Sequence, residues 1–156
     1  MVKEPLNVLV WALLMQDFPE SLVLTLAVLS ILNLRLWTKR TLFIALLQTA
    51  TNLVRRLPIA FGMHTAILLI SLVLYTHALT GARLSRVFLA ALLCFSLVIA
   101  AELLYLKPLL SVTGLNYEEA FANPFWRAAF ALPYEVLLLA LALVKDCCNR
   151  RRGVAA

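Results

Sequence analysis

Long apolar runs, broken only by short polar stretches, are the feature that most constrains this chain. A helix needs about twenty predominantly apolar residues to cross the hydrocarbon core of a bilayer. Five stretches approach that length, near 21–37, 41–57, 63–79, 87–106 and 125–144. Hydrophobic residues make up 63% of the 156 and charged residues only 14%, whereas a soluble domain carries roughly a quarter charged residues. The fold class expected is all-α: a polytopic membrane helix bundle of about five transmembrane helices. It forms one membrane-embedded domain over 1–156, with no internal repeat, linker or second domain. Residues 6–15 are apolar but half the length of a crossing, so they read as a short N-terminal interfacial helix, or as a sixth span. No small-residue cleavage site follows them, and removal as a signal peptide is not expected.

Orientation follows from the Lys/Arg bias of short loops. Lys39 and Arg40 follow the first span, Arg83 and Arg86 the third, and Lys145, Arg150, Arg151 and Arg152 the fifth. With five spans these sites share one side, which is then cytoplasmic. The other side receives Asp17, Glu20, Lys107, Glu118 and Glu119, a mostly acidic set. The expected location is the cell membrane, the bacterial inner membrane, multi-pass, with the C-terminus in the cytoplasm. The net charge of +6 therefore reads as a topology signal facing anionic lipid. A nucleic-acid binder would carry its basic residues as a stripe with interleaved aromatics.

Ionisable residues inside spans are costly and are functional candidates. Arg55 and Arg56 close span two, His64 opens span three, Glu102 lies one turn from the end of span four, and Arg127 starts span five. The topology puts all five in one layer at the extracytoplasmic side. Three arginines against one carboxylate leave spare positive charge, and planar guanidinium groups suit a carboxylate or phosphate. One reading is a ligand-binding pocket for an anionic group; the other is an Arg–Glu clasp with snorkelling side chains and lipid counter-ions. Arg35, near the cytoplasmic end of span one, reads as snorkelling. Gln48, Asn52 and Arg56 are spaced i, i+4, i+8, on nearly one helix face. His64, Ser71 and Tyr75 make a weaker stripe. Such faces serve as hydrogen-bonding glue between helices. Glu135 is the sharpest single residue, nine to ten positions from either end of span five. A carboxyl group there must be neutral or paired. Pro133 frees a backbone carbonyl nearby, and Gln48, at similar depth, is the expected partner. Glu135 with Gln48 and Asn52 is thus an intramembrane polar switch or a structural brace.

Cys94 lies within an apolar run and reads as a small core residue. Cys147 and Cys148 read as two reduced thiols or as a juxtamembrane acylation site. No Cys/His metal spacing is present, and no metal or cofactor is expected. The sequence lacks His-Glu-x-x-His, Gly-x-Ser-x-Gly, P-loop and dinucleotide motifs. An enzyme is not expected.

The stretches Arg55-Arg56-Leu57-Pro58 and Phe61-Gly62-Met63-His64-Thr65 resemble the membrane portion of Gram-positive sensor histidine kinases of the accessory-gene-regulator and sporulation type. Thr113-Gly114-Leu115 and Asn123-Pro124-Phe125-Trp126-Arg127, ahead of a Pro-containing last helix, are similar to the same group. The resemblance covers about residues 20–145. It implies a five-to-six-helix input module that senses a signal at the membrane. In that family the last helix continues into a dimerisation helix and an ATPase domain. This sequence has no phosphoacceptor histidine after span five and no ATP-binding motif, so the module acts alone, beside a separate kinase, or as a piece of a longer protein. The function expected is a stand-alone membrane sensor or regulatory module that senses an extracytoplasmic or membrane-borne signal and relays it to a cytoplasmic partner. The rivals are a small transporter or substrate-binding membrane subunit, with Glu135 and Gln48 in a midplane site, and a structural assembly protein. Candidate partners are the lipid bilayer, an anionic small molecule or peptide signal, a cytoplasmic kinase or regulator, and a second copy of the chain. Nucleic acid is not among them.

Overall fold

The computed structural model describes residues 13–56, 63–114, 116 and 123–151; the side chains of Arg55, Arg56 and Pro124 are not described. The described residues form an all-α bundle of five helices: α1 Phe18–Ile31, α2 Lys39–Thr51, α3 Met63–Thr80, α4 Leu84–Thr113 and α5 Pro124–Arg151. A π-helical turn, Leu13–Asp17, leads into α1, and a 3-10 turn, Asn52–Arg56, continues α2. Among the described residues, four segments are long and apolar enough to cross a membrane: Leu13–Ile31, Met63–Thr80, Leu84–Thr113 and Phe125–Arg151. The protein is therefore a multi-pass membrane protein. The exception is α2, whose α-helical part has 13 residues and begins with Lys39 and Arg40.

Side-chain contacts fix the helix directions. Asn52, at the far end of α2, donates to Ser21 Oγ at the start of α1 (3.2 Å), so these two run antiparallel. Tyr105 on α4 donates to the Phe130 carbonyl on α5 (2.8 Å), the pairing of another antiparallel hairpin. Ser30 Oγ, at the end of α1, donates to the Ala142 carbonyl on α5 (2.9 Å), so α1 and α5 run parallel.

The centre of the bundle is α1. Of its most apolar stretch 61% is buried within the protein, against 28% for α3, 22% for α4 and 33% for the last span. The other helices therefore turn most of their apolar surface outward, toward lipid. Each presents one stripe to the core at helical spacing: Val87, Ala90, Ala91 and Cys94 on α4, and Ala131, Tyr134, Leu138 and Ala142 on α5. Small residues dominate these stripes, which lets the backbones approach closely where no hydrophobic drive separates helix from lipid. Cys94 is 2% exposed and is a core residue.

Several boundaries differ from those read in the sequence. The first helical segment starts at Leu13, ahead of position 21, and ends at Ile31, before Trp37. Asn33 stops it with a left-handed φ of 60°. The Asn33 N–H returns to the Ser30 carbonyl and the Leu34 N–H to that of Leu29, the bond pair that closes a helix when Asn or Gly supplies the left-handed residue. Residues 13–15, placed in an interfacial helix by the sequence reading, open the first helical segment, and residues 6–12 lie outside the described part. α2 begins earlier than position 41 because Thr38 caps it, its Oγ1 accepting from the Thr41 N–H (3.3 Å). α4 does not stop at Lys107-Pro108. An internal proline removes one backbone donor and need not end a helix that continues on both sides. The helix runs to Gly114, whose φ of 67° closes it. α5 runs past residue 144 to Arg151, carrying the basic tail onto the helix.

Candidate functional site

At the end of the bundle away from Lys39, Arg83 and Arg150, α1, α3, α4 and α5 separate to leave a groove of about 470 Å3. Its floor is apolar: Leu24, Leu68, Phe95, Val98 and Ile99 from three helices, with Tyr134 and Leu138 from α5. Its polar rim is Gln16, Glu20, His64, Glu102 and Arg127. An apolar concavity of this size with a few converging polar groups is the usual form of a small-molecule site.

Local structure explains how each rim residue arrives there. Asn123 caps α5, its Oδ1 accepting from the Phe125 N–H (3.0 Å), and Pro124 occupies the first helical position, where its missing N–H costs nothing. Arg127 is thereby held at the end of the first turn of α5. His64 is the second residue of α3. Glu102 reaches the rim from within α4 because that helix extends well beyond it. Glu20 falls in the first turn of α1, where a carboxylate is favoured by the helix dipole.

Of the five residues placed in one layer by the sequence, the structure brings His64, Glu102 and Arg127 together on the groove. The side chains of Arg55 and Arg56 lie outside the described residues. Two carboxylates, Glu20 and Glu102, face Arg127 and His64, so the described lining is mixed in charge; the surplus of arginine over carboxylate expected from sequence rests on Arg55 and Arg56, whose side chains lie outside the described residues. Arg127 is half-buried, and among the described residues its guanidinium makes no ion pair or hydrogen bond.

Gln16 and Glu20 were missed as site residues, because the first span reads as starting at position 21 and Glu20 only as one of the extracytoplasmic acidic residues. Gln16 is in fact 6% exposed. The signal was present: Gln16, Glu20 and Leu24 are spaced i, i+4, i+8, the face-sharing period that picks out Gln48 and Asn52.

Gln48 and Asn52 are buried glue. Gln48 Nε2 donates to the Leu68 carbonyl (3.0 Å) and its Oε1 accepts from Ser71 Oγ (3.1 Å), tying α2 to α3. Asn52 turns the other way, to Ser21 Oγ and the Asp17 carbonyl. Tyr75, of the weaker stripe, shares a hydrogen bond with Thr51 (3.0 Å). The expected Gln48–Glu135 partnership is a correction: both Gln48 groups are committed to α3, and Glu135 faces a different neighbourhood. Glu135 is 8% exposed and lies within electrostatic reach of Glu20. Tyr105, which bonds to α5 near the groove, lies within electrostatic reach of Glu102, Glu135 and Glu20. Glu135 thus sits behind the groove, next in sequence to the lining residue Tyr134. Among the described residues it makes no hydrogen bond. The midplane site with Gln48 that a transporter reading needs is not formed.

At the far end, His77 Nδ1 is bonded to the Ala82 carbonyl (2.7 Å) and closes the α3–α4 turn. Asn149 donates to the Ser30 carbonyl (3.2 Å) and Arg150 pairs with Asp146 (2.9 Å), fastening the end of α5. Cys147 and Cys148 are exposed free thiols.

No family model, curated protein or solved structure matches the chain.

Proposed function

We propose that the protein is a membrane receptor module, and that the groove takes a small amphiphilic signal whose polar head meets the mixed rim and whose apolar part lies on the floor. The carrying observation is Arg127: a half-buried guanidinium over an apolar floor, with no partner among the described residues. Leaving such a group unpaired near hydrocarbon costs several kcal/mol unless it snorkels or meets a ligand. The head group favoured is one that accepts hydrogen bonds or carries negative charge, since Arg127 donates. The likeness to sensor-kinase input modules points to the same class of function.

Relay follows from the shape of α5. One continuous helix carries Arg127 at the groove and Asp146, Asn149 and Arg150 at the other end, and it is fastened to the central helix through Ser30. In this reading a ligand that shifts the first turns of α5 passes the change along that helix, across Pro133, to its basic end. In this reading the basic end lies in the cytoplasm, where a kinase or regulator receives the change.

The test is photo-crosslinking in native membranes. A photoactivatable residue at Phe95 or Ile99, on the groove floor, should capture a small amphiphile that the same probe at Leu93, 61% exposed and facing outward, does not. Capture should fall away in Glu102→Gln/Arg127→Gln. Identical bulk-lipid adducts at all three positions would overturn the reading.

A further inference from the structure

We propose a second anion site, at the basic end of the bundle, in which Arg35 and Arg40 clamp a phosphate group. The site is a cavity of about 210 Å3 lined by Leu29, Leu34, Arg35, Thr38, Arg40 and Thr80. It lies between the α1–α2 connection and the end of α3, and it is independent of the groove.

Its shape is fixed by structure already described. The Asn33 turn ends α1 and returns Leu34 to Leu29 through a backbone bond (3.0 Å), so both apolar walls belong to one helix-closing motif. Leu36, 1% exposed, anchors the connection in the core. Thr38 then caps α2. Arg35 and Arg40 stand on either side of this anchored stretch and line one cavity.

Charge supply decides what the cavity takes. Both arginines are exposed, and among the described residues neither makes an ion pair. The one described carboxylate at this end, Asp146, is held by Arg150 at 2.9 Å. The hydroxyls are also engaged: Thr38 Oγ1 accepts from the Thr41 N–H and shares a hydrogen bond with Thr41 Oγ1 (2.9 Å), while Thr80 Oγ1 donates to the Thr76 carbonyl and accepts from the Ala82 N–H. Two forked guanidinium groups therefore remain as donors, the geometry that suits phosphate oxygens. The first-turn N–H groups of α2 add partial positive charge on the same side. Trp37, 69% exposed and lying between the two arginines in sequence, is the residue type that marks the membrane–water boundary. A basic pocket between helices at that boundary suits a lipid phosphodiester; a free phosphate offers the same oxygens.

Titration of the delipidated full-length protein with dioctanoyl phosphatidylglycerol, dioctanoyl phosphatidylcholine and inorganic phosphate tests the site. The anionic lipid should bind in preference to the zwitterionic one. Arg35→Gln/Arg40→Gln should weaken it about a hundredfold, about tenfold for each charged hydrogen-bonding group lost. Arg83→Gln/Arg86→Gln, which removes the same charge at the same end, should weaken it less than about twofold. Competition by inorganic phosphate would assign the site to free phosphate, and its failure to compete would assign it to the lipid head group. Equal losses in the two double variants, or none in either, would overturn the proposal. Should the glutamine pair fail to fold, Arg35→Lys/Arg40→Lys keeps the charge and loses the fork; unchanged binding there would overturn it equally.

Discussion

At the groove end, Glu20, Glu102, His64 and Arg127 face one another across an apolar floor. At the opposite end Arg35, Lys39, Arg40, Arg83, Arg86, Lys145, Arg150 and Arg151 share one described carboxylate, Asp146. Charge at the first end is mixed and turned inward, at the price of desolvation; charge at the second is of one sign and turned outward. Mixed inward charge selects the shape and polarity of a bound molecule. Single-signed outward charge selects a compartment and an anionic surface. The proposed function would thus divide the two ends, a small-molecule groove at one and an orienting surface that faces anionic lipid at the other.

The largest effect tests that division outright. A reporter fused after Ala156 should be active as a cytoplasmic fusion, and one inserted in 115–122 as an external fusion, because loop lysines and arginines set orientation. The opposite pattern would place the groove on the cytoplasmic side. The amphiphilic signal would then have to come from within the cell.

A smaller effect compares how the ends are fastened. Gln48 bonds both a carbonyl and a hydroxyl on α3, whereas Asn149 makes one bond to a carbonyl. Interhelical hydrogen bonds within membranes are worth about 0.6 kcal/mol on average and up to about 1.7. Gln48→Leu should therefore lower stability by about 1–2 kcal/mol in a micellar unfolding titration, leaving Ser71 without its amide partner. Asn149→Leu should lower it by about 0.6 kcal/mol. Equal losses would mean that the α2–α3 network adds nothing beyond a single bond.

Sequence reached the helical class and the multi-pass character because hydrophobic length is a one-dimensional quantity, read directly from apolar runs. It reached His64, Glu102 and Arg127 as one cluster because alternating helices bring their like ends together. It did not reach the helix ends set by local chemistry. Asn33 stops α1 by taking a left-handed conformation, and Pro108 fails to stop α4; hydropathy is blind to both. The error at α1 had a second consequence. With the helix begun at position 21, Gln16 and Glu20 fell outside the span, and two of the five rim residues were lost. Asn123-Pro124 and Thr113-Gly114, which carry part of the resemblance to sensor-kinase modules, are a helix start and a helix stop, so their local cause is visible in this fold alone. Gln48 and Glu135 were paired on depth, but helix rotation, which no depth argument contains, turns Gln48 to α3 and Glu135 toward Glu20.

The smallest expected effect concerns Glu135. A buried carboxyl group that braced two helices would lose about 1 kcal/mol of stability on replacement by leucine. Here the group makes no hydrogen bond among the described residues, the nearby Tyr105 hydroxyl is spent on the Phe130 carbonyl, and Glu20 is close enough to repel it when both are charged. Replacing it removes a like-charge interaction and a desolvation cost, and deletes no bond. Glu135→Gln and Glu135→Leu should accordingly both unfold within about 0.5 kcal/mol of the unaltered protein, or slightly later. A loss of about 1 kcal/mol or more in the leucine variant alone would show that the carboxyl has a bonded partner and serves as a brace. Stability unchanged in both, with amphiphile capture at Phe95 lost in the leucine variant, would instead tie Glu135 to the groove: a buried acid that the fold does not need, lying behind Tyr134 where a bound head group would feel it.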